Sequence, residues 1–175
     1  MTTATDSALL PRLAFDSALS PETRLWIFLA ERPLNEPETA FAQQALDAFA
    51  RQWTAHNQAL RAKAEVFQNQ IVLLAVDESQ TDASGCSIDK SVHFLEELGA
   101  RMGIDFLEKM RFAWADGERW QVCGRSEFAS LLQQKRITYD TLVANTLAPT
   151  KASLLENWLA PLDQSWHKRL FPLPN

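Results

Sequence analysis

Ile71-Val-Leu-Leu-Ala-Val76 is a run of six apolar residues that follows the polar stretch Gln68-Asn69-Gln70. Such a short, uniformly apolar run, bounded by turn-forming residues, is typical of a strand in the middle of a sheet. Residues 59–68, just before it, alternate loosely between polar and apolar side chains. We therefore predict a hairpin from residue 59 to residue 76, with its second strand buried.

Strand-like segments also lie on either side of this hairpin. Arg24-Leu-Trp-Ile-Phe-Leu-Ala30 is dense in β-branched and aromatic residues and ends shortly before Pro33, which predicts a buried strand. Residues 111–115 and 119–123 flank the dipeptide Asp116-Gly117. That dipeptide favours a tight hairpin with a type I′ turn, in which both central residues have positive φ.

Four other segments have the three- and four-residue apolar spacing of helices. The first begins at the N-cap candidate Asn35 and continues to about Trp53. The second starts near Ile88, the third follows Ser126, and the last covers about residues 151–159. Hairpins that alternate with helices predict an α+β fold, with a mostly antiparallel or mixed sheet and helices packed mainly on one face.

The length of 175 residues is that of one domain. We expect residues 1–20 to be a flexible N-terminal arm. Residues 21–175 are then a single α+β domain that includes a docked C-terminal tail, because the tail carries several leucines and two tryptophans.

Charge and composition exclude several classes of protein. The net charge is −5, and Lys and Arg are scattered singly, so we expect no nucleic-acid partner. No apolar run approaches the roughly 20 residues of a membrane-spanning helix, so we expect no membrane partner. Two cysteines outside any C-x-x-C pattern indicate reduced thiols and a cytoplasmic location. We interpret His167-Lys168-Arg169 as a solvated terminus.

The motifs of cofactor-dependent enzymes are missing. Five glycines occur, and none forms a phosphate-binding loop. Three histidines occur without partners at metal-ligand spacing. We therefore predict no cofactor and no metal.

The most distinctive feature is Ala83-Ser-Gly-Cys-Ser-Ile-Asp89, where a polar loop meets the second helix. A thiol at the positive end of a helix is favoured as a thiolate, which makes Cys86 a candidate nucleophile. The sequence thus predicts a site that binds, or acts through a thiol on, a small polar or anionic ligand. Its candidate catalytic residues are Cys86, His56 and Asp77, and its candidate ligand-binding residues are Ser84, Gly85, Ser87, Asp89 and Trp53. A structural role for Cys86 at a capped helix start stays open.

The chain resembles a family of small uncharacterised bacterial proteins. The resemblance extends from about Arg24 onward, and its most specific part is the Ser84–Asp89 string. It also rests on Arg24-Leu-Trp-Ile, Trp53-Thr-Ala-His56, Val76-Asp-Glu78, Glu156-Asn-Trp158 and Ser165-Trp-His-Lys168. Some members are labelled as ABC transporter ATPases, an activity that this chain cannot support without a phosphate loop.

The alternative hypothesis is a non-catalytic protein–protein interaction module. Six tryptophans are an unusual number for this length, and tryptophan is a frequent anchor in interfaces. The partner would be another protein or a second copy of the chain.

Overall fold

The computed structural model describes residues 8–172. In that range the α-helices are α1 (Glu36–Gln52), α2 (Gly85–Met102), α3 (Arg125–Gln133) and α4 (Lys151–Asn157). The strands are β1 (Arg24–Leu29), β2 (Thr54–Ala55), β3 (Gln58–Ala59), β4 (Arg61–Phe67), β5 (Ile71–Asp77), β6 (Arg111–Asp116), β7 (Arg119–Gly124), β8 (Leu142–Ala144) and β9 (Leu159–Pro161). All the described strand pairs are antiparallel, and the prediction of an α+β fold is confirmed.

The first sheet has the strand order β1-β5-β4. Every residue of β5 is buried, as expected of the uniformly apolar run at its centre. The two faces of β5 contribute to different cores: Ile71 and Leu73 point to one side, and Val72 and Leu74 point to the other. Because both faces of this strand are covered, it needs no polar side chain until Asp77, at its end.

A second sheet has the order β7-β6-β8-β9, and β2 pairs with β3 in a separate two-residue ribbon. The sequence did not predict β2, β3, β8 or β9, because strands of two or three residues are too short to show an alternating pattern. The two larger sheets pack face to face. Their common core contains Leu25, Leu29, Ile71, Leu73 and Ala75 from one sheet and Ala113, Trp120 and Ala144 from the other.

Helices cover the outer face of each sheet. The side chains of α1 and α2 pack with Val72, Leu74 and Val76 on the outer face of the first sheet. Phe128 of α3 and Phe171 of the C-terminal tail pack with Phe112 on the outer face of the second. The layers therefore run helix, sheet, sheet, helix, and each larger sheet has helices mainly on one face.

Residues 8–20 do not form the flexible arm that the sequence suggested; residues 1–7 lie outside the described range. Leu9, Leu13 and Leu19 are buried in the core between the two sheets. The buried carboxylate of Glu65, on β4, accepts hydrogen bonds from the backbone N–H groups of Arg12, at 3.0 Å, and Leu13, at 2.8 Å. The segment is thus part of the domain, because both its apolar side chains and its backbone have partners elsewhere in the fold.

Two local predictions differ from the structure. Asp116 pairs with Arg119, so the central residues of the β6–β7 turn are Gly117 and Glu118, and only Gly117 has positive φ, at 62°. That pattern is typical of a type II′ turn rather than type I′. The helix expected after Ser126 begins one residue before it, at Arg125. The first helix begins as predicted, with Asn35 and Glu38 forming a capping box.

The C-terminal tail packs against the body of the protein. Leu154, Trp158 and Leu162 are each at most 1% exposed. The interpretation of residues 167–169 as a solvated terminus is wrong for His167, which is fully buried and stacks on Trp166 with ring centroids 3.9 Å apart. The sequence did not predict the burial of His167, because its two basic neighbours, Lys168 and Arg169, are exposed and only His167 is buried.

Candidate functional site

The predicted loop does form the start of α2. Ser84 is the N-cap, and its hydroxyl oxygen accepts a hydrogen bond from the backbone N–H of Ser87 at 3.2 Å. The Ser87 hydroxyl in turn donates to the Ser84 carbonyl at 2.8 Å. Gly85, Cys86 and Asp89 are exposed in the first turn, whereas Ser87 is buried. The two serines therefore hold the turn in shape, and the thiol faces outward.

Trp53 connects this turn to the rest of the fold. It is buried, and its indole N–H donates to the Ser87 carbonyl at 2.8 Å. Its ring also packs against Trp26 and Phe49, with centroids 5.7 and 5.0 Å away. Trp53 thus positions the start of α2 from within the core.

His56 lies at the tip of the β2–β3 ribbon. His56 and Asn57 both have positive φ, 50° and 62°, as the two central residues of a type I′ turn do. The ribbon adjoins the start of α2, since the Lys90 ammonium donates to the Thr54 hydroxyl at 3.4 Å. In the described part of the chain, His56 makes no hydrogen bond or ion pair with Cys86. The structure therefore brings the hairpin close to the loop without forming a Cys–His pair.

Asp77 is buried at the end of β5, and its carboxylate is already engaged. It accepts hydrogen bonds from the Ser79 backbone N–H at 3.1 Å and the Ser20 hydroxyl at 3.4 Å, and it pairs with Arg61 at 3.4 Å. Burial acts to raise the pKa of Asp77, but the hydrogen bonds from Ser79 and the charge of Arg61 outweigh it and hold the pKa below its ordinary value. A carboxylate with a lowered pKa is a poor general base. The contacts of Asp77 instead anchor the loop that leads to α2.

The thiols of the chain should differ sharply in reactivity. Cys86 is exposed and Cys123 is buried. Burial, together with the negative charge of Glu127, raises the pKa of Cys123 to about 11. We expect iodoacetamide at pH 8 to label one thiol per native chain and both thiols in denaturant, as counted by mass spectrometry.

Single cysteine substitutions show which thiol reacts with iodoacetamide in the native chain. The variant Cys86→Ser should take up no label in the native state, and its stability should change by less than about 0.5 kcal/mol, as for other exposed positions. The variant Cys123→Ser should still take up one label. Equal labelling of the two thiols in the native chain would contradict the assignment.

A second candidate site lies along the outer edge of β1. Consecutive N–H groups of a strand alternate in direction, and the N–H of Leu25 points away from β5 to donate to the Pro149 carbonyl at 3.0 Å. Pro149 has no N–H to donate back to the Leu25 carbonyl, so the pairing between β1 and this segment ends there. Further along, the Leu29 carbonyl accepts from the Arg111 guanidinium at 2.8 Å. Between these two points, the Leu25 carbonyl, the Ile27 N–H and carbonyl and the Leu29 N–H have no partner among residues 8–172.

Comparisons with protein-family models, curated proteins and solved structures gave no match. The resemblance suggested by the Ser84–Asp89 string therefore stays a prediction.

Two adjoining cavities border the free edge of β1. A cavity of about 400 Å³ lies beside Phe28, Val92 of α2 and Phe106. A cavity of about 290 Å³ continues past Arg24 and Trp26. Thr146 and Leu147 line both. We call this continuous feature, from Arg24 to Leu29 on one side and from Thr146 to Pro149 on the other, the β1 groove.

Leu147 marks the β1 groove as unusual. It is 65% exposed, more than any other large apolar side chain that the structure describes. The sequence reasoning missed it because a lone leucine in the loop Asn145-Thr-Leu-Ala-Pro149 carries no periodic signal. The one available signal was Pro149, which cannot continue a strand pairing.

The tryptophans do not form the exposed surface of the interaction hypothesis. Trp53, Trp120 and Trp158 are buried, and Trp26, Trp114 and Trp166 are half-buried. An interaction surface on this protein therefore cannot consist mainly of tryptophans.

No cluster of three or more His, Cys, Asp or Glu side chains within residues 8–172 has the arrangement of a metal site. The described helices include none with the length and apolar character needed to cross a bilayer.

Proposed function

We propose that this protein is a non-catalytic interaction module that binds an extended segment of another protein by adding it as a strand to the edge of β1. The observation that carries the proposal is the set of unpaired backbone groups from Leu25 to Leu29 beside an apolar cavity. In strand addition, backbone hydrogen bonds supply affinity, and pockets for alternate side chains supply specificity.

The dimensions suit a short segment. From Leu25 to Leu29 the strand covers roughly 14 Å, at about 3.4 Å per residue. A partner of three to five extended residues would satisfy the free N–H and carbonyl groups. The cavity of about 400 Å³ next to Phe28 and Phe106 has room for one or two aliphatic side chains of that partner.

A second copy of the chain fits the β1 groove less well than a peptide. The loop that carries Leu147 and the segment at Phe106 both border the free edge, so a second copy would have to fit past both segments to pair with it. The contact would also be short, whereas a stable dimer buries at least about 1,000 Å². We therefore assign the groove to a flexible extended segment.

The test is selection of a random decapeptide library, displayed on phage, against the immobilised full-length protein. Peptides selected on the wild type should lose at least about tenfold in affinity for Leu147→Asp, because a charge replaces the apolar wall of the groove. The matched control is Leu155→Asp, which places the same charge at a leucine that is 46% exposed elsewhere, on α4. Selection that enriches no peptide, or peptides that bind all three proteins equally, would overturn the proposal.

A backbone variant tests strand addition itself. Proline is tolerated at edge-strand positions whose N–H points outward, so Ile27→Pro should remove one donor without breaking the β1–β5 pairing. We expect the selected peptides to lose affinity for Ile27→Pro and to keep it for Ile27→Val, which retains the N–H. Unchanged binding to a folded Ile27→Pro protein would show that the ligand does not pair with β1.

Thiol-dependent chemistry at the Ser84-Gly85-Cys86-Ser87 loop is the second candidate. It is favoured by one observation, the exposure of the Cys86 thiol in the first turn of an 18-residue helix. An activated thiol should react with iodoacetamide at pH 7 several times faster in the native chain than in urea. An equal or lower native rate would remove this candidate and leave Cys86 a structural residue of the helix start.

A further inference from the structure

Most of the charged residues that line the β1 groove are basic, whereas the whole protein is acidic. Four charged residues line the two cavities: Arg24, Lys109 and Arg111 are basic, and Glu108 is acidic. The chain as a whole has a net charge of −5. The ion-pair partners of these residues decide how much positive charge is left in the groove for an acidic ligand.

The four charges are not equally available to a ligand. Arg24 pairs with Glu78 at 3.5 Å, and Arg111 pairs with Asp105 at 2.6 Å. The Glu108 carboxylate accepts a hydrogen bond from the Met110 backbone N–H at 2.8 Å. Lys109 is exposed, and its ammonium forms no ion pair with any residue from 8 to 172. Lys109 therefore offers a positive charge with which an acidic group of a ligand can form an ion pair.

Apolar and basic side chains line the larger cavity together. Val92, Phe106 and Leu107 line this cavity together with Lys109, and the Leu29 end of β1 lies there as well. A strand added to β1 alternates its side chains between the two faces of the sheet. One side chain would then enter the apolar cavity, and a residue near it in sequence would lie within reach of Lys109.

Resting on the proposed strand addition, we infer that the partner is an extended segment that carries an aliphatic residue with an acidic residue close to it in sequence. Lys109 sets the preference for the acidic residue. The aliphatic side chain occupies the cavity of about 400 Å³.

The experiment compares three full-length proteins as targets for the same random decapeptide library. On the wild type, Asp and Glu should be enriched about threefold over the input library, the range that an exposed ion pair gives. On Lys109→Glu the enrichment should disappear or reverse to Lys and Arg. The matched control Lys168→Glu changes the net charge by the same amount at an exposed position in the tail, and it should keep the acidic enrichment.

The outcomes separate this inference from the function on which it rests. Peptides that bind in a Leu147-dependent manner, with no acidic enrichment on the wild type, would overturn the inference and leave strand addition standing. The same acidic enrichment on Lys109→Glu as on the wild type would also overturn it. If no Leu147-dependent peptide is enriched, the proposed function itself fails.

Discussion

A chain that begins at Ser20 should lose cooperative unfolding and behave as an expanded, dye-binding state. Removing residues 1–19 takes Leu9, Leu13 and Leu19 out of the core between the two sheets. Each buried leucine contributes about 1.5–3 kcal/mol, so the three together approach the total stability of about 5–15 kcal/mol that domains have. Thermal unfolding followed by near-UV circular dichroism and by a hydrophobic dye measures the effect.

Lost hydrogen bonds add to this effect. The Leu9 carbonyl accepts from the indole N–H of Trp120 at 3.0 Å and from that of Trp158 at 2.7 Å. The buried ammonium of Lys151 donates to the carbonyls of Asp16, at 2.6 Å, and Leu19, at 2.8 Å. If the rest of the fold were kept, truncation would leave these donors without acceptors at a cost of about 1–3 kcal/mol for each, which further favours the expanded state.

Point variants show that the effect belongs to the buried side chains. Leu9→Ala should cost about 2–5 kcal/mol, because the surrounding core cannot fully close around the smaller residue. Phe15→Ala is the control, since Phe15 lies in the same segment but is 58% exposed, and its substitution should cost less than about 0.5 kcal/mol. A truncated chain that keeps the melting temperature of the full-length protein would contradict this account.

The free energy of unfolding should fall by up to about 3 kcal/mol between pH 6.5 and pH 4 through His167 alone. Burial lowers the pKa of His167 from 6.5 to about 4, because it takes the ring out of contact with the solvent that would stabilise its positive charge. Its Nδ1 atom lies 3.0 Å from the Ser165 hydroxyl, and its Nε2 atom is buried without a partner in the described structure.

The sign follows from which state binds the proton first. As the pH falls below about 6.5, His167 in the unfolded chain becomes protonated, whereas in the folded chain it stays neutral until about pH 4. The unfolded state therefore gains stability across this window. The contribution of the neutral, buried ring is fully present above about pH 6.5 and is lost as the pH falls towards 4.

Urea unfolding at a series of pH values tests this for the wild type and two variants. His167→Gln cannot titrate in this range, so its stability should depend less on pH than that of the wild type, whatever its absolute stability. His93→Gln is the control, because it makes the same substitution at a histidine whose side chain is 70% exposed rather than buried. A His167→Gln protein with the wild-type slope would show that His167 does not supply it.

The amino-acid sequence by itself determined the elements that depend on neighbouring residues. The apolar run from Ile71 is the central strand, and Asn35 caps the helix that follows it. These features are local, since a cap acts within one turn and a buried strand needs only continuous apolarity. The α+β class followed from their order.

The candidate site shows the same division. The sequence located the turn from Ser84 to Asp89 at the start of a helix, because capping residues have a local signature. It could not establish that Asp77 is engaged by Arg61 and Ser20, or that His56 lies in the turn of a two-stranded ribbon. The partners of Asp77 lie far from it in the sequence, and the strands on either side of His56 are too short to show a pattern.

Tertiary structure alone decided which of two similar side chains is buried. Leu9 lies between two sheets and Leu147 lies in solvent, although both are leucines in irregular segments. His167 is enclosed while its neighbours Lys168 and Arg169 are solvated. The free edge of β1 exists because Pro149 ends its pairing and no other described strand comes alongside. Burial and open edges depend on the segments that pack from far along the chain, and that information is absent from any single stretch of residues.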